Sequence, residues 1–192
     1  AAEYGIWVNS EGNRFVNELA NRKVRADAIM VEQAGGKKCY AICNEPNCAP
    51  FKKQRPGFQD RMLEMKILDK YDTLEALAKG SGIPYENLKK TVDAFNEAVK
   101  SKNDPQLGRY INNDQVPMVE GPWYIAECQP KVHHCMGGVM TDMECRVIDV
   151  QTDLYAAGEA AGGVHGAVRL GSVAILDCLV FGRIAGQTAA KA

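Results

Sequence analysis

The sequence predicts an α+β fold in two parts: mixed helices with a small sheet, followed by a strand, a glycine-rich loop and a helix. Residues 84–100 carry apolar side chains at helical spacing. Residues 38–43 and 122–128 are short apolar runs of the kind that form strands. Five of the fourteen residues in the segment 158–171 are glycine, which predicts a loop between a strand and a helix. These patterns favour a layered domain with its own core and a separate ligand-binding segment.

The composition is that of an ordinary globular protein. The chain has 192 residues, of which 46% are hydrophobic, so it can bury a sizeable core. Its 23 basic and 24 acidic residues give a net charge of −1, which offers no electrostatic basis for binding nucleic acid or an anionic membrane. No apolar run reaches the length of a membrane span. The chain begins without a signal peptide, and a periplasmic and a cytoplasmic location for a soluble protein both remain open.

The seven cysteines follow no regular spacing, and their odd number argues against a disulfide framework. Cys39, Cys43 and Cys48 have a spacing that a metal site can use. The stretch that joins the first two is apolar and typical of a buried strand. We therefore expect reduced, buried thiols and no metal.

The first part of the chain is predicted to contain a hairpin and a helix before the strand at residues 38–43. Residues 6–17 hold two apolar runs around a polar turn, where Gly12 can adopt a positive φ. The opening residues 1–5 run directly into this hairpin. The pattern over residues 21–33 predicts a helix that stops at the following glycines.

An irregular stretch with three prolines is predicted to follow the strand. Asp72 is the predicted cap of a short helix that ends near Gly80. The longer helix over residues 84–100 is predicted to bury one stripe, made of Leu88, Val92, Phe95 and Val99. Residues 101–120 are polar and contain two prolines, which predicts a loop and the domain boundary.

The glycine-rich loop at residues 158–171 is the strongest candidate for a binding site. It follows a predicted buried strand at residues 153–157 and precedes a predicted helix at residues 172–190. The loop carries Glu159, His165 and Arg169, and the start of a helix attracts anionic groups. A plain connector between packed elements remains the alternative.

Two further places carry polar side chains that suit a carboxylate ligand. His133 and His134 would face opposite sides of a strand, so at most one of them faces a given site. The adjacent Gly137 and Gly138 allow another backbone or a ring system to approach closely. An imidazole together with a guanidinium gives three donors to one carboxylate.

Arg22 lies at the start of the predicted helix over residues 21–33, where the helix dipole disfavours a cation. It therefore calls for an anionic partner. The simpler candidate for that partner is Glu18, four residues earlier in the chain.

Three segments occur in order along nearly the whole chain. They are residues 12–18 with Arg22, residues 133–139, and residues 154–171, and residues 181–186 close the set. Together they resemble the fumarate reductase/succinate dehydrogenase flavoprotein family. The branch that looks most similar contains the soluble fumarate reductases of the flavocytochrome c type and the urocanate reductases.

The resemblance implies an FAD-dependent enzyme that reduces a C=C bond conjugated to a carboxylate. Arg22 falls on the arginine that gives the substrate its proton. His133 and Arg169 fall on the residues that bind the substrate carboxylate, and His134 is implied to contact substrate and cofactor. Glu159 matches the acid that holds the FAD ribose. The other implied cofactor-binding residues are Gly158, Gly137, Gly138, Gly171, Ser172, Val173, Ala174 and Ile175.

The resemblance also implies a domain plan. Residues 1–13 end a flavin-domain segment at the hairpin entry, and residues 14–118 form a clamp, or capping, domain of mixed helices and a small sheet. Residues 119–192 form the C-terminal strand and helix segment of a Rossmann-like FAD-binding domain. Arg22 on the clamp and Arg169 on the flavin domain would meet when the clamp closes.

The implied partners follow from the same resemblance. They are a small carboxylate substrate and an N-terminal FAD-binding part of the same protein, because no Gly-x-Gly-x-x-Gly fingerprint follows a strand in this sequence. A heme-bearing or FMN-bearing electron donor, as in anaerobic respiration, is a further implied partner.

Four departures from the family pattern leave the substrate open. Val168 replaces an asparagine, and residues 171–174 read Gly-Ser-Val-Ala where the family has Gly-Gly-Asn-Ala. Cys135 replaces a threonine and Lys23 an aspartate. A monocarboxylate or an aryl enoate is therefore a candidate beside fumarate. The alternatives are a dehydrogenase of the ketosteroid desaturase type and a non-catalytic capping fragment that binds no flavin alone.

Overall fold

The computed structural model describes residues 4–192, which form two compact units, residues 1–130 and residues 131–192. The start of the predicted lead into the hairpin, residues 1–3, lies outside the described residues. The first unit contains the sheet and five helices, and the second contains one long helix and the glycine-rich loop. The mixed helix and small-sheet fold is confirmed.

The sheet of the first unit has four antiparallel strands in the order β1-β2-β4-β3. Their bounds are β1 Ile6–Asn9, β2 Cys39–Asn44, β3 Asp69–Tyr71 and β4 Trp123–Glu127. Ile42 of β2 lies opposite Ile6 on one side and Ile125 on the other. All three side chains are buried, so this row forms the sheet's contribution to the core.

The helices of the first unit are α1 Arg22–Ala34, α2 Glu45–Gln54, α3 Phe58–Glu64, α4 Leu74–Ser81 and α5 Tyr85–Ser101. The predicted stripe of α5 is confirmed, since Leu88, Val92, Phe95 and Val99 are all buried in the core cluster. The predicted helix near residues 21–33 is confirmed as α1. The Asn21 side chain caps it by accepting a hydrogen bond from the Val24 amide.

Three local predictions were wrong. The proline-rich stretch forms α2 and α3, with Pro46 in the first turn of α2, where its missing N–H breaks no helical hydrogen bond, and Pro50 inside the helix. Thr73, and not Asp72, caps α4, since its hydroxyl accepts from the Ala76 amide. The hairpin turn forms with Gly12 at φ 83°, but the returning run makes only one bridge, between Val8 and Arg14. The Arg14 side chain is instead tied to the residues that follow it.

A buried group of four charged side chains anchors that returning run. Glu18 accepts from Arg14 Nε at 2.9 Å, from Arg14 Nη2 at 2.8 Å and from Arg109 Nη1 at 3.2 Å. Arg14 also donates to Asp104 at 2.9 Å. Both guanidinium carbons lie 5.0 Å from the centroid of the Phe95 ring. Burial alone would raise the pKa of Asp104, but the hydrogen bond and charge of Arg14 lower it below its usual value.

Residues 102–122 contain no helix or strand, as predicted for a loop, yet much of this loop is packed. Ile111 and Met118 belong to the core cluster. The chain then enters β4, which lies between β2 and β3, so the first unit continues to Pro130. The assignment of residues 14–118 to a clamp and residues 119–192 to a flavin domain stays a prediction. Among residues 4–192, no helix is long and apolar enough to cross a membrane.

The second unit is built around α6 Val173–Ala189, which confirms the predicted C-terminal helix. The strand predicted at residues 153–157 was wrong. Tyr155 makes a single bridge with Arg146, and Gly158 turns the chain at φ 66° directly afterwards. Within the described residues no second strand runs beside this segment, so no ladder of hydrogen bonds forms.

Candidate functional site

The glycine-rich loop begins with a short 3₁₀ turn, Gly158–Ala160, and ends at the start of α6. Gly158 is buried, and a Cβ there would lie 2.8 Å from Cys178 Sγ on α6. Ser172, at φ 68°, precedes the helix, and its side chain makes no capping hydrogen bond. This side chain therefore does not cap the first amide groups of α6, although the Ile175 amide donates to the main-chain carbonyl of Ser172 at 3.1 Å.

Glu159 is the acid that His133, His134 and Arg169 of the second unit share. One carboxylate oxygen accepts from the Cys135 amide at 2.8 Å, and the other lies 3.3 Å from His134 Nδ1. The Cys135 hydrogen bond lowers the pKa of Glu159, slight burial opposes it, and the charges of His134, Arg169 and His133 lower it further. Four of the predicted site residues therefore lie within electrostatic reach of one another.

Arg169 and His133 differ in their surroundings. Arg169 is buried, its Nη1 donates to the Leu170 carbonyl at 3.0 Å, and its buried Nε has no hydrogen-bond partner among the described residues. His133 is exposed, whereas the side chain of His134 is only 8% exposed. The two histidines do not lie in a strand, so the predicted alternation of a strand does not apply, and they differ in their exposure to solvent.

A second acid and imidazole pair was not predicted as part of the site. His165 Nε2 lies 3.0 Å from Asp177 Oδ2, and both side chains are buried. The ring of His165 meets that of His134 edge to face, with centroids 5.0 Å apart. This pair ties the middle of the glycine-rich loop to α6. The sequence signal was Asp177 itself, a single charge within the apolar first half of α6.

Gly138 lies against the backbone of the loop. Val139 forms a parallel bridge with Ala161, and a Cβ on Gly138 would lie 2.6 Å from the Gly162 nitrogen. Of the two predicted uses of a glycine here, close approach of another backbone is the one observed. Gly137 has open space at the same place, and its contact with cofactor stays a prediction.

We expect Gly138→Ala to destabilise the second unit by about 1–3 kcal/mol, because the added methyl group meets backbone atoms that cannot rotate away. Gly137→Ala is the matched control and should change the free energy of unfolding little, since its Cβ enters open space. Urea unfolding followed by circular dichroism measures both. Equal losses for the two variants would contradict the backbone contact as the cause.

Arg22, in the first unit, is the first residue of α1 and is exposed. The expected pair with Glu18 was wrong, because Arg14 and Arg109 already occupy the Glu18 carboxylate. Among residues 4–192, the Arg22 side chain has no hydrogen-bonding or ion-pair partner. Burial and the charge of Arg22 both lower the pKa of Arg25, one turn further along α1. The helix thus presents an unpaired cation at its start.

The residues of the second unit fit FAD in their chemistry. Glu159 keeps a side chain that is 55% exposed and suits hydroxyl groups of a ribose. The start of α6 offers main-chain donors to the electron-rich edge of a flavin ring, and the glycines before the helix permit the ring to approach the backbone closely. Gly171, Ser172 and Ile175 are exposed at this start.

Comparison with known proteins places the chain among flavoproteins. The family model described as FAD binding domain matches residues 1–175. The chain is 40% identical to a probable fumarate reductase of Shewanella frigidimarina, over 97% of the chain and 31% of that protein. It is 37% identical to an acrylate reductase flavoprotein subunit of Shewanella woodyi, over 92% of the chain and 35% of that protein.

A solved structure agrees with these relatives. The open conformation of a flavocytochrome c3 fumarate reductase matches with a TM-score of 0.69 and 38% identity, over 98% of the chain and 33% of that structure. The chain thus spans about a third of the length of the proteins it matches. It belongs to the FAD binding domain family, among the fumarate reductase flavoproteins, and its cofactor is FAD.

Proposed function

We propose that the protein to which this chain belongs reduces a C=C bond conjugated to a carboxylate. The observation that carries this proposal is Arg22, a cation held at the start of a helix without an anionic partner among residues 4–192. A substrate carboxylate or the carbanion that develops beside it would supply the missing negative charge. The fumarate and acrylate reductases among the relatives support an enoate as the substrate class.

The substrate carboxylate is bound by His133 and Arg169 in this proposal. Arg169 presents a buried Nε without a partner among the described residues, and a buried donor that stays unpaired is costly. His133 is exposed and able to add a further hydrogen bond. Fixing the carboxylate polarises the conjugated double bond and stabilises the negative charge that develops on the adjacent carbon.

The proton comes from Arg22. When bound, reduced FAD would supply the hydride for one carbon of the double bond, and the Arg22 guanidinium would give a proton to the other carbon. Arginine is a weak acid in water, so this step requires a site without bulk solvent and a group that reprotonates Arg22. Glu159 would hold the ribose of the cofactor, and the start of α6 would bind the pyrimidine edge of the flavin.

The rest of the same protein is proposed to cover α6. The helix α6 is strongly apolar, yet four of its large side chains are between 44% and 67% exposed: Ile175, Leu176, Leu179 and Val180. A contiguous exposed apolar face marks a contact with another protein surface. We assign this face to the N-terminal FAD-binding part, and electrons would come from a heme or FMN donor.

The proposal is tested with the full-length protein under anaerobic conditions. Reoxidation of its reduced flavin is followed after addition of fumarate, acrylate or urocanate. We expect at least one acid to accelerate it, and Arg169→Gln to lower kcat/KM for that acid by about 10²–10³-fold. Arg183→Gln, an exposed arginine on α6, is the control and should change little. If no unsaturated acid accelerates reoxidation, the proposal is wrong.

A further inference from the structure

The sheet of the first unit has a second face, opposite the core cluster, and small side chains lie on it. Side chains alternate between the two faces of a sheet, so Ile42 and Ile125 point to the core cluster while their neighbours point away from it. On the other face, Ala41 of β2 lies directly opposite Ala126 of β4. These two small side chains leave space above the sheet.

A cavity of about 230 Å³ occupies this space and is partly open to solvent. Ala41 and Ala126 line it from the sheet, and Phe51 of α2 and Phe58 of α3 line it from the helices. The two phenyl rings meet edge to face, with centroids 5.4 Å apart. An apolar cavity of about 150 Å³ holds benzene, so this one has room for an aromatic ring with a short substituent.

Gln59 of α3 lines the same cavity and is only 7% exposed. Its Nε2 is buried and donates no hydrogen bond to any of residues 4–192. Gln59 lies close enough to the Tyr124 hydroxyl to oppose the rise in pKa that burial and Glu45 cause there, but no hydrogen bond joins Nε2 to that hydroxyl. A buried amide donor without an acceptor is costly, so a ligand that brings an acceptor is favoured.

The charges around the cavity favour an uncharged ligand. All of the side chains that line it are uncharged. Behind them, the Glu45 carboxylate accepts from the Tyr124 hydroxyl at 2.6 Å and forms an ion pair with Lys52. Neither charge is therefore left to pair with a ligand. Because a carboxylate would lose its hydration without gaining a counterion, an enoate is a poor ligand for this cavity.

We propose that this cavity is a binding site for a small, uncharged aromatic compound that carries one carbonyl oxygen. The ring lies over Ala41 and Ala126, and its edge packs against Phe51 and Phe58. The carbonyl oxygen accepts a hydrogen bond from Gln59 Nε2. Binding thus buries the apolar surface of the ring and supplies the acceptor that the buried amide lacks.

The test measures binding of acetophenone and of α-methylstyrene, which has a CH₂ group in place of the carbonyl oxygen, to the full-length protein by calorimetric titration. Gln59→Met keeps the length of the side chain but removes the donor. It should weaken acetophenone binding by about tenfold and change α-methylstyrene binding by less than about twofold. Gln54→Met, at an exposed position of α2, is the matched control and should change neither affinity.

Cys48 lines the cavity and is half-buried, so its reactivity reports where acetophenone binds in the wild-type protein. At about ten times its Kd, acetophenone should slow alkylation of Cys48 by iodoacetamide about tenfold and leave the exposed Cys135 unaffected.

Three results would overturn the proposal. The first is the absence of saturable acetophenone binding, as when another part of the full-length protein fills the cavity. The second is an unchanged rate of Cys48 alkylation. The third is an equal loss of affinity for both compounds in Gln59→Met. The first two come from the wild-type protein and hold even if Gln59→Met fails to fold.

Discussion

Arg22→Gln should lower kcat for the reduction of an unsaturated acid by about 10²–10⁴-fold, because the variant loses the group proposed to give the proton. Binding of FAD should persist, since the predicted ribose and pyrimidine contacts lie on Glu159 and α6. KM should change far less than kcat if the main role of Arg22 is proton donation. Steady-state assays of the full-length protein with a reduced electron donor measure both constants.

Lys23→Gln is the matched control for Arg22. Lys23 is the next residue of α1, is exposed, and pairs with Asp27 at 2.5 Å. Removing its charge should alter kcat by no more than about twofold, since an exposed pair of this kind contributes little. If Arg22→Gln kept more than about a tenth of the wild-type kcat, the proton would have to come from another group.

Glu18→Gln should reduce the free energy of unfolding by about 3–5 kcal/mol, because it leaves two buried arginines with one negative charge instead of two. Arg14 and Arg109 both donate to Glu18, and the only other acid in the group is Asp104. The Glu18 side chain is completely buried, so water cannot replace the lost charge. Urea unfolding at neutral pH measures the change.

The control for Glu18 is an exposed pair on α5. Lys89 and Asp93 lie 2.6 Å apart, and both side chains are about half exposed. Asp93→Asn should change the free energy of unfolding by less than about 1 kcal/mol. If Glu18→Gln and Asp93→Asn lowered the free energy of unfolding by similar amounts, burial would not strengthen the ion pairs of Glu18 with Arg14 and Arg109. A stable Glu18→Asp variant would separate loss of charge from loss of shape.

Helices with a clear apolar period could be predicted from the sequence, and elements defined by distant partners could not. The stripe on α5 follows from local spacing alone. The segment before Gly158 has an apolar composition, but a strand also needs a neighbouring strand, which local sequence does not reveal. Proline misled the interpretation of residues 44–68, because Pro46 and Pro50 both lie within α2 and neither ends the helix.

Candidate site residues were found through charge and glycine patterns, but their partners were not. Glu18 was predicted to pair with Arg22 because the two residues are four apart in the sequence. Local spacing does not reveal that Arg109, which is distant in the sequence, competes for the Glu18 carboxylate. His165 and Asp177 belong to a loop and a helix, so no periodic pattern links them. The charges of His134 and Arg169 lower the pKa of Glu159, and the roles of these three residues in a site stay a prediction.

The buried group of four charged side chains, Arg14, Glu18, Asp104 and Arg109, also affects how the first unit folds. Arg14 and Asp104 are 90 residues apart in sequence, and Arg109 is 91 residues from Glu18. Closing so long a loop costs chain entropy before any hydrogen bond compensates for it. Until the segment around Arg109 docks, Arg14 and Glu18 remain a hydrated pair of near neighbours. We therefore expect dehydration of these charges to follow the folding transition state, so that their loss accelerates unfolding more than it slows folding.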